Sequence, residues 1–431
     1  MLVEFRMENH RSVRDEQVLT MEAAGRVASD DDQRPRSVEG HTARLLPVAA
    51  LYGANASGKS NVLSALAFMQ HAVLLSHRIW PPDGGVPREP FAWGPKTSEP
   101  SFYEVTLLID DVQYAYGFVV DDERFIEEWL YAWPQGRKQV WFEREGDEFK
   151  FGEHLHGENR VVEQVTRPNA LFLSAAVQHR HEQLTPLYGW FRSLQAVNVS
   201  TSNRRRLITD SPEMWLSRFF NSSAAASAQS SLFPEAIQPN TQFEAFRELL
   251  RAADVGIVDV KIVNEEEEQS SIRGRRHRRV RVLVQHQSEN EDAWLPLEEE
   301  SNGTLTLFKL APSVLDALWT GGVLVVDELE ASLHPLLGLH IVRQFNDPKR
   351  NPKNAQLLFT THDTNLLGTT LGDPPLRRDQ IWLTEKDHDG ASRIYPLTDY
   401  KPRKAENLER GYLQGRYGAI PFLGELPPVK E

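Results

Sequence analysis

Cysteine is absent from this 431-residue sequence. Disulfides, thiolate metal centres, iron–sulfur clusters and cysteine nucleophiles are all excluded with it. Uninterrupted apolar runs of the roughly 20 residues needed to span a bilayer are also missing. The opening stretch MLVEFRMENHRSVRDEQ is charged and alternating, with no apolar segment and no cleavage site. It reads as no secretory leader, and the expectation is a cytoplasmic protein without membrane association. Positive charge is in the minority, 48 Lys and Arg against 61 Asp and Glu, for a formal net of −13. That excludes a globally basic nucleic-acid coat but leaves local patches open. One patch stands out: Glu265–Glu268 are four glutamates, and six arginines follow between Arg273 and Arg281. Apolar residues at 40% and aromatics at 9% supply a sizeable core, so disorder is not the main character of the chain. The length suits two or three domains.

The pattern along the chain alternates between sheet and helix. Leu2–Met7 and Val18–Met21 read as a hairpin around Glu8-Asn9-His10-Arg11, and residues 26–41 as an exposed polar loop. Leu46–Leu51 is an apolar run of strand length, leading through a glycine turn into a helix over Asn61–Ser76. Six prolines mark 81–100 as irregular, and 101–150 holds several alternating segments typical of antiparallel strands. Residues 180–255 read as broken helix, with a Ser/Ala stretch at 222–231. Ile257–Val263 and Val280–Val284 suggest a hairpin flanking the acidic–basic loop. Leu305–Leu318 and Leu333–Phe345 read as helices, Val323–Val326 and Gln356–Thr360 as buried strands. There are no internal repeats and no sustained heptads.

Gly53-Ala54-Asn55-Ala56-Ser57-Gly58-Lys59-Ser60 fits G-x-x-x-x-G-K-[ST] between an apolar strand and a helix. Backbone N–H groups of such a turn, with the helix N-terminus, cradle phosphates. Lys59 is placed to reach the β- and γ-phosphates and the Ser60 hydroxyl to ligate magnesium. Val323-Leu324-Val325-Val326-Asp327-Glu328 describes a central strand delivering two carboxylates to its C-terminal edge. Asp327 suits magnesium and Glu328 suits polarising an attacking water. Leu357–Asp363 is again a buried strand ending in a polar cluster, with His362 placed to sense a γ-phosphate. Glu300-Ser301-Asn302-Gly303-Thr304 precedes a helix; it reads either as a second anion cradle or as an ordinary N-cap followed by glycine.

These four elements, in this order, resemble the ABC-type ATPase heads of RecF, the structural-maintenance-of-chromosomes proteins and the OLD-family ATPases. The resemblance implies an α/β fold: a P-loop head with a mixed central sheet flanked by helices, an antiparallel β subdomain, and an inserted, largely helical lobe. Gly53–Ser60 then corresponds to Walker A, with Gly53, Asn55, Ala56, Ser57, Gly58, Lys59, Ser60 and Asn61 around the nucleotide. Ser301–Thr304, with Ser301 and Gly303, corresponds to the signature, Asp327–Glu328 to Walker B, Glu330–Pro335 to the D-loop stretch and His362 to the switch histidine. Asn9-His10-Arg11-Ser12 is similar to the N-F-R-S turn of these heads, with histidine in place of the aromatic, and Arg11 is carried over as a nucleotide contact. A Q-loop glutamine has no counterpart, since 71–112 contains none and Gln113 falls in an expected hairpin. A narrower resemblance, which includes Gly415-Arg416-Tyr417-Gly418-Ala419-Ile420-Pro421, is to single-chain ATPases of bacterial anti-phage defence loci, often encoded beside an RloB-like or Toprim-type partner.

From this follow the expected organisation and function. Residues 1–150 form the first part of the head, 151–295 the inserted lobe and 296–431 the rest of the head. The resemblance implies a slow ATPase using ATP and Mg2+, pairing as a homodimer or higher homo-oligomer with two ATP molecules sandwiched between heads. Its output is a switch acting on a separate effector of the Toprim or RloB-like nuclease class. The alternative is a RecF-like maintenance ATPase acting directly on DNA. The Arg273–Arg281 loop is open to nucleic acid, an acidic partner, or the nearby glutamates. Glu385 with Asp387-His388-Asp389 superficially resembles a Toprim acid set, but the adjacency and the short following segment favour a hairpin turn, so no intrinsic nuclease is expected.

Overall fold

The computed structural model describes residues 1–25, 32–200, 241–253, 256–266, 278–289, 292–403 and 406–421. The Ser/Ala stretch at 222–231, residues 26–31 of the polar loop, and Arg273–His277 of the basic run lie outside them. The chain forms two compact units. The first comprises Met1–Arg205, Leu318–Leu329 and Leu339–Glu431, the second Arg206–Ala317 and Glu330–Gly338.

In chain order the first unit begins with β1 (Leu2–Glu8), β2 (Gln17–Thr20), β3 (Val48–Gly53) and α1 (Lys59–Leu75). Five strands follow: β4 (Ser101–Ile109), β5 (Val112–Val120), β6 (Phe125–Trp133), β7 (Gln139–Glu145) and β8 (Glu148–Phe151). Seven of these make one antiparallel sheet, in the order β2-β1-β4-β5-β6-β7-β8. Their sequences alternate because one face is packed and the other solvated, as in β4, where every second residue from Ser101 to Leu107 is buried. Asp110 and Asp111 join β4 to β5 with left-handed φ of 48° and 61°, the geometry a two-residue hairpin loop needs.

Next come α2 (Asn159–Val165), α3 (Phe172–Gln178), α4 (Thr185–Ser193) and β9 (Gln195–Val197). This stretch, expected in the inserted lobe, packs within the first unit. Phe172 packs among Phe142, Phe149 and Phe151 with its ring tilted to each. The buried Glu128 carboxylate accepts from the Phe172 and Leu173 N–H groups at 2.6 and 3.1 Å. Gln70 of α1 donates to the Phe191 and Leu194 carbonyls at 2.8 and 2.6 Å. Apolar side chains at 171–173, 191 and 194 supply the driving force, each fully or nearly fully buried.

The second unit contains α5 (Thr241–Ala253), β10 (Ile257–Glu266), β11 (Arg278–His286) and β12 (Trp294–Pro296). The three strands form an antiparallel sheet in that order, so the expected hairpin exists and is longer than its apolar core. The helix α6 (Asn302–Thr320) starts in this unit, and Phe246 of α5 meets Phe308 edge-on.

The remaining elements are β13 (Val323–Val326), α7 (Pro335–Asn346), β14 (Gln356–Thr360), β15 (Ile381–Lys386), β16 (Ser392–Pro396) and α8 (Leu408–Leu413). The strands among them complete a mixed sheet in the order β16-β15-β3-β14-β13-β9, parallel except for the β15–β16 pair. β3, β13 and β14 are buried at every residue, which is why they read as continuous apolar runs. The C-terminal ends of these three parallel strands carry Gly53, Asp327 and Thr361 to one edge.

Candidate nucleotide site

The phosphate-loop pattern forms the turn from β3 into α1. Gly58 has φ 105° and ψ 10°, and no side chain caps α1. A Cβ at Gly58 would overlap Ser392 Oγ, and one at Gly53 would overlap Thr384 O and Ser57 Oγ, so both positions require glycine. Ala56 takes a left-handed φ of 62°, a strain of about 1–2 kcal/mol for a residue with a side chain. The first-turn N–H groups, not served by a capping side chain, are the donors an anion would use. Lys59 is buried, and its ammonium donates to the carbonyls of Gly53 and Ala54 at 2.9 and 3.1 Å. Asn55 and Ala56 lie at the loop's outer side, whereas Ser57 is buried. The Asn61 amide turns away to Ser12 Oγ at 2.6 Å.

The acidic pair lies beside this loop. Ser60 Oγ donates to Asp327 Oδ1 at 2.9 Å, and Thr360 Oγ1 donates to the same oxygen at 2.7 Å. The Glu328 N–H bonds back to Thr360 Oγ1 at 2.7 Å, and the Leu329 N–H to Thr360 O at 3.1 Å. Asp327 N–H reaches Val197 O at 3.0 Å, fixing the turn against β9. Glu328 itself has φ 54° and an exposed side chain. Its backbone strain, roughly 1–3 kcal/mol, is held by the Thr360 bonds on either side. Thr360 is a residue that sequence reasoning missed. The Thr360-Thr361 pair ending an otherwise apolar strand was the available signal.

The donor set suits magnesium. Ser60, Asp327 and Thr360 offer hard oxygens, and among the described residues no cluster of three or more His, Asp or Glu forms a protein-only metal site. Magnesium characteristically takes one or two protein oxygens and completes its shell with phosphate and water. His362 follows β14 and is exposed at the same strand edge.

Arg11 is paired with Glu89. Its guanidinium makes a two-pronged bond to Glu89 at 3.0 and 2.9 Å, and its N–H bonds Glu89 O at 2.7 Å. His10, where an aromatic was expected, is buried with Nδ1 at 2.8 Å from Tyr103 OH and Nε2 at 2.9 Å from Ser64 Oγ. Burial, aided by the Arg11 charge, pushes its pKa down to about 3. The ring therefore acts as a neutral aromatic with two hydrogen bonds.

The Ser301–Thr304 turn lies in the second unit. Ser301 Oγ accepts from the Thr304 N–H at 3.2 Å and contacts Thr304 Oγ1 at 2.9 Å, so the N-cap reading of this turn is realised. Ser301 and Asn302 are exposed. A Cβ on Gly303 would stand 3.0 Å from Ser332 O, so glycine there permits close approach of the Glu330–Pro335 stretch. His286 and Glu300 meet at 2.6 Å just before the turn. The hairpin expected around Asp389-Gly390 forms as β15–β16: Asp387 Oδ1 accepts from the Asp389 and Ala391 N–H groups, and Glu385 Oε1 from that of Ala419.

Comparison with known families decides the class. A family model described as "AAA domain, putative AbiEii toxin, Type IV TA system" matches residues 48–368, from the strand before the phosphate loop to beyond His362. The chain belongs to this AAA-domain family. It is thus a P-loop ATPase by class, and its AAA domain includes both the loop and the acidic strand. Among solved structures, the chain is similar to an SMC head domain from Thermotoga maritima, 13% identical over 92% of this chain and 98% of that one, with a TM-score of 0.37. An SmcHead bound to the C-terminal winged-helix domain of ScpA is 12% identical over 91% and 97%, with a TM-score of 0.45. An Smc head from Pyrococcus furiosus with an extended coiled coil, bound to the C-terminal domain of ScpA, is 13% identical over 93% and 97%, at 0.39. No curated protein matches the chain. Among the described residues no helix is long and apolar enough to cross a membrane.

Proposed function

We propose that this AAA-domain protein binds and slowly hydrolyses ATP, and that ATP pairs two copies into a state that regulates a separate effector. The observation that carries the reading is the Ser60–Asp327–Thr360 bond set, which brings loop and acidic strand into one site. Gly53, Asn55, Ala56, Ser57, Gly58 and Asn61 shape the loop, its N–H groups hold the phosphates, and Lys59 exchanges carbonyl partners for phosphate oxygens. Ser60 and Asp327 hold Mg2+, which when bound neutralises charge on the transferring phosphoryl group. Glu328, exposed and fixed in backbone direction, accepts a proton from the attacking water. His362 contacts the γ-phosphate from the neighbouring strand end. Arg11, paired with Glu89, contacts the nucleotide from the N-terminal turn.

In the paired state, Ser301 and Gly303 of one copy face the nucleotide held by the other. Differential contact with the γ-phosphate then makes pairing depend on ATP rather than ADP. The effector is a nuclease-class partner within a bacterial anti-phage system. The test is solution mass by light scattering for the wild type and Glu328→Gln, with and without Mg-ATP, alongside phosphate release. The reading expects mass to double with ATP and to stay doubled in the variant. A monomer under every condition would overturn pairing while leaving the ATPase open to the phosphate assay. ATP-dependent binding of DNA by the purified protein alone would instead favour direct action on DNA.

A further inference from the structure

The phosphate loop is bonded from behind by residues remote in sequence. Ser392, the first residue of β16, donates its hydroxyl to the Ser57 carbonyl at 2.7 Å. Its Oγ also lies 2.7 Å from Ser12 Oγ, and its N–H bonds Ser12 O at 2.6 Å. Ser12 Oγ in turn accepts from Asn61 Nδ2 at 2.6 Å. All of these belong to the first unit, and Ser12, Ser57 and Ser392 are buried. Further bonds fasten the strand carrying Ser392 to the N-terminal turn: Ile394 N–H to Gln17 Oε1 at 2.8 Å, and Arg14 to Asp387 and Asp389 at 3.3 Å each.

The bond to the Ser57 carbonyl has a directional consequence. A trans peptide is planar, so its C=O and the following N–H point to opposite sides. Ser392 holds the Ser57 carbonyl toward the back of the loop, and the Gly58 N–H is thereby turned to the other side. Gly58 can sit against Ser392 only because it lacks a Cβ and tolerates φ 105°. With no side chain capping α1, the direction of these loop N–H groups rests on the groups behind them.

We infer that Ser392, supported by Ser12, is a positioning residue that aims the Gly58 N–H and so sets the affinity of the loop for polyphosphate. This rests on the nucleotide-site reading above. Because the effect is exerted on phosphate oxygens, it is blind to the base.

The test measures Kd for Mg-ATP and for inorganic tripolyphosphate by titration calorimetry, on the full chain. Ser392→Ala is expected to weaken both about tenfold, with turnover at saturating ATP within twofold of wild type. Ser12→Ala, which leaves the Ser57 bond in place, is expected to weaken both about threefold. The double variant should lie within twofold of Ser392→Ala, since the two side chains act in one chain of bonds. Unchanged affinities in both single variants, with wild type binding normally, would overturn the inference. So would weakened ATP binding with unaltered tripolyphosphate binding. Should Ser392→Ala fail to fold, Ser12→Ala decides alone: a loss confined to thermal stability would mean a structural role only. Absence of saturable ATP binding by the wild type, equal to that of Lys59→Ala, would instead defeat the site reading itself.

Discussion

Two glycine-bearing turns open helices in this protein, and they treat their N–H groups in opposite ways. At Gly58 the helix begins with no side-chain cap, in a left-handed turn that only glycine fills. At Ser301 the helix caps itself, the hydroxyl accepting from Thr304 N–H. The first leaves donors for an external anion, and the second satisfies one donor before any ligand arrives. The lesson is that a glycine turn before a helix is not enough to make an anion site. The first has the open donors such a site needs. The second has an exposed, already capped edge, suited to adding a contact to a ligand held elsewhere.

Substitutions can break or sharpen this contrast. The largest effect is expected from Gly58→Ala, whose methyl would overlap Ser392, and from Lys59→Ala. Each should reduce ATP affinity by about a hundredfold or more in equilibrium titration, roughly 2.7 kcal/mol. Glu328→Gln should retain ATP binding while phosphate release falls on the order of 100-fold, the low end of the range for loss of a general base. At the second turn, Ser301→Ala should lower helix stability by about 1 kcal/mol, seen as a small drop in thermal midpoint. Ser301→Asp separates the two duties of that residue. Aspartate caps as well as serine, so the midpoint should hold, but its charge should abolish the ATP-driven mass increase. If pairing survives Ser301→Asp, the turn is a cap and nothing more.

The last effect concerns His10. Its pKa falls from 6.5 unfolded to about 3 folded, so the unfolded chain binds the extra proton between those values. His10 therefore favours the folded state fully above pH about 6.5 and loses that contribution as pH falls toward 3. His10→Phe should be less stable near pH 7, having lost two hydrogen bonds. It should also show a shallower acid limb, by up to about 1.4 kcal/mol per pH unit, in urea titrations at pH 4.5 to 6.5.

The legible parts of the sequence were those whose chemistry is local. The loop, the acidic strand and the buried strands announce themselves because glycine, lysine and unbroken apolar runs have few other uses at that spacing. The Asp389-Gly390 hairpin was readable for the same reason. What was not legible depends on distant chain folding back. The Arg11–Glu89 pair needs the proline-rich 81–100 stretch to return to the N-terminal turn. The role of His10 in place of the aromatic was not legible because neither Tyr103 nor Ser64 is near it in sequence. The helices at 159–193 read as part of an insertion, since nothing in them shows that Phe172 fits among Phe142, Phe149 and Phe151.

The bond between Ser12 and Ser392 also bears on how the chain is made. Their partners, Ser57 and Asn61, leave the ribosome early, whereas β16 is delivered some 335 residues after Ser57. At about 5–20 residues per second, that interval is on the order of tens of seconds. The phosphate loop is therefore made well before the strand that bonds it from behind. Products stopped before β16 carry the whole motif and lack the Ser392 bond to the Ser57 carbonyl.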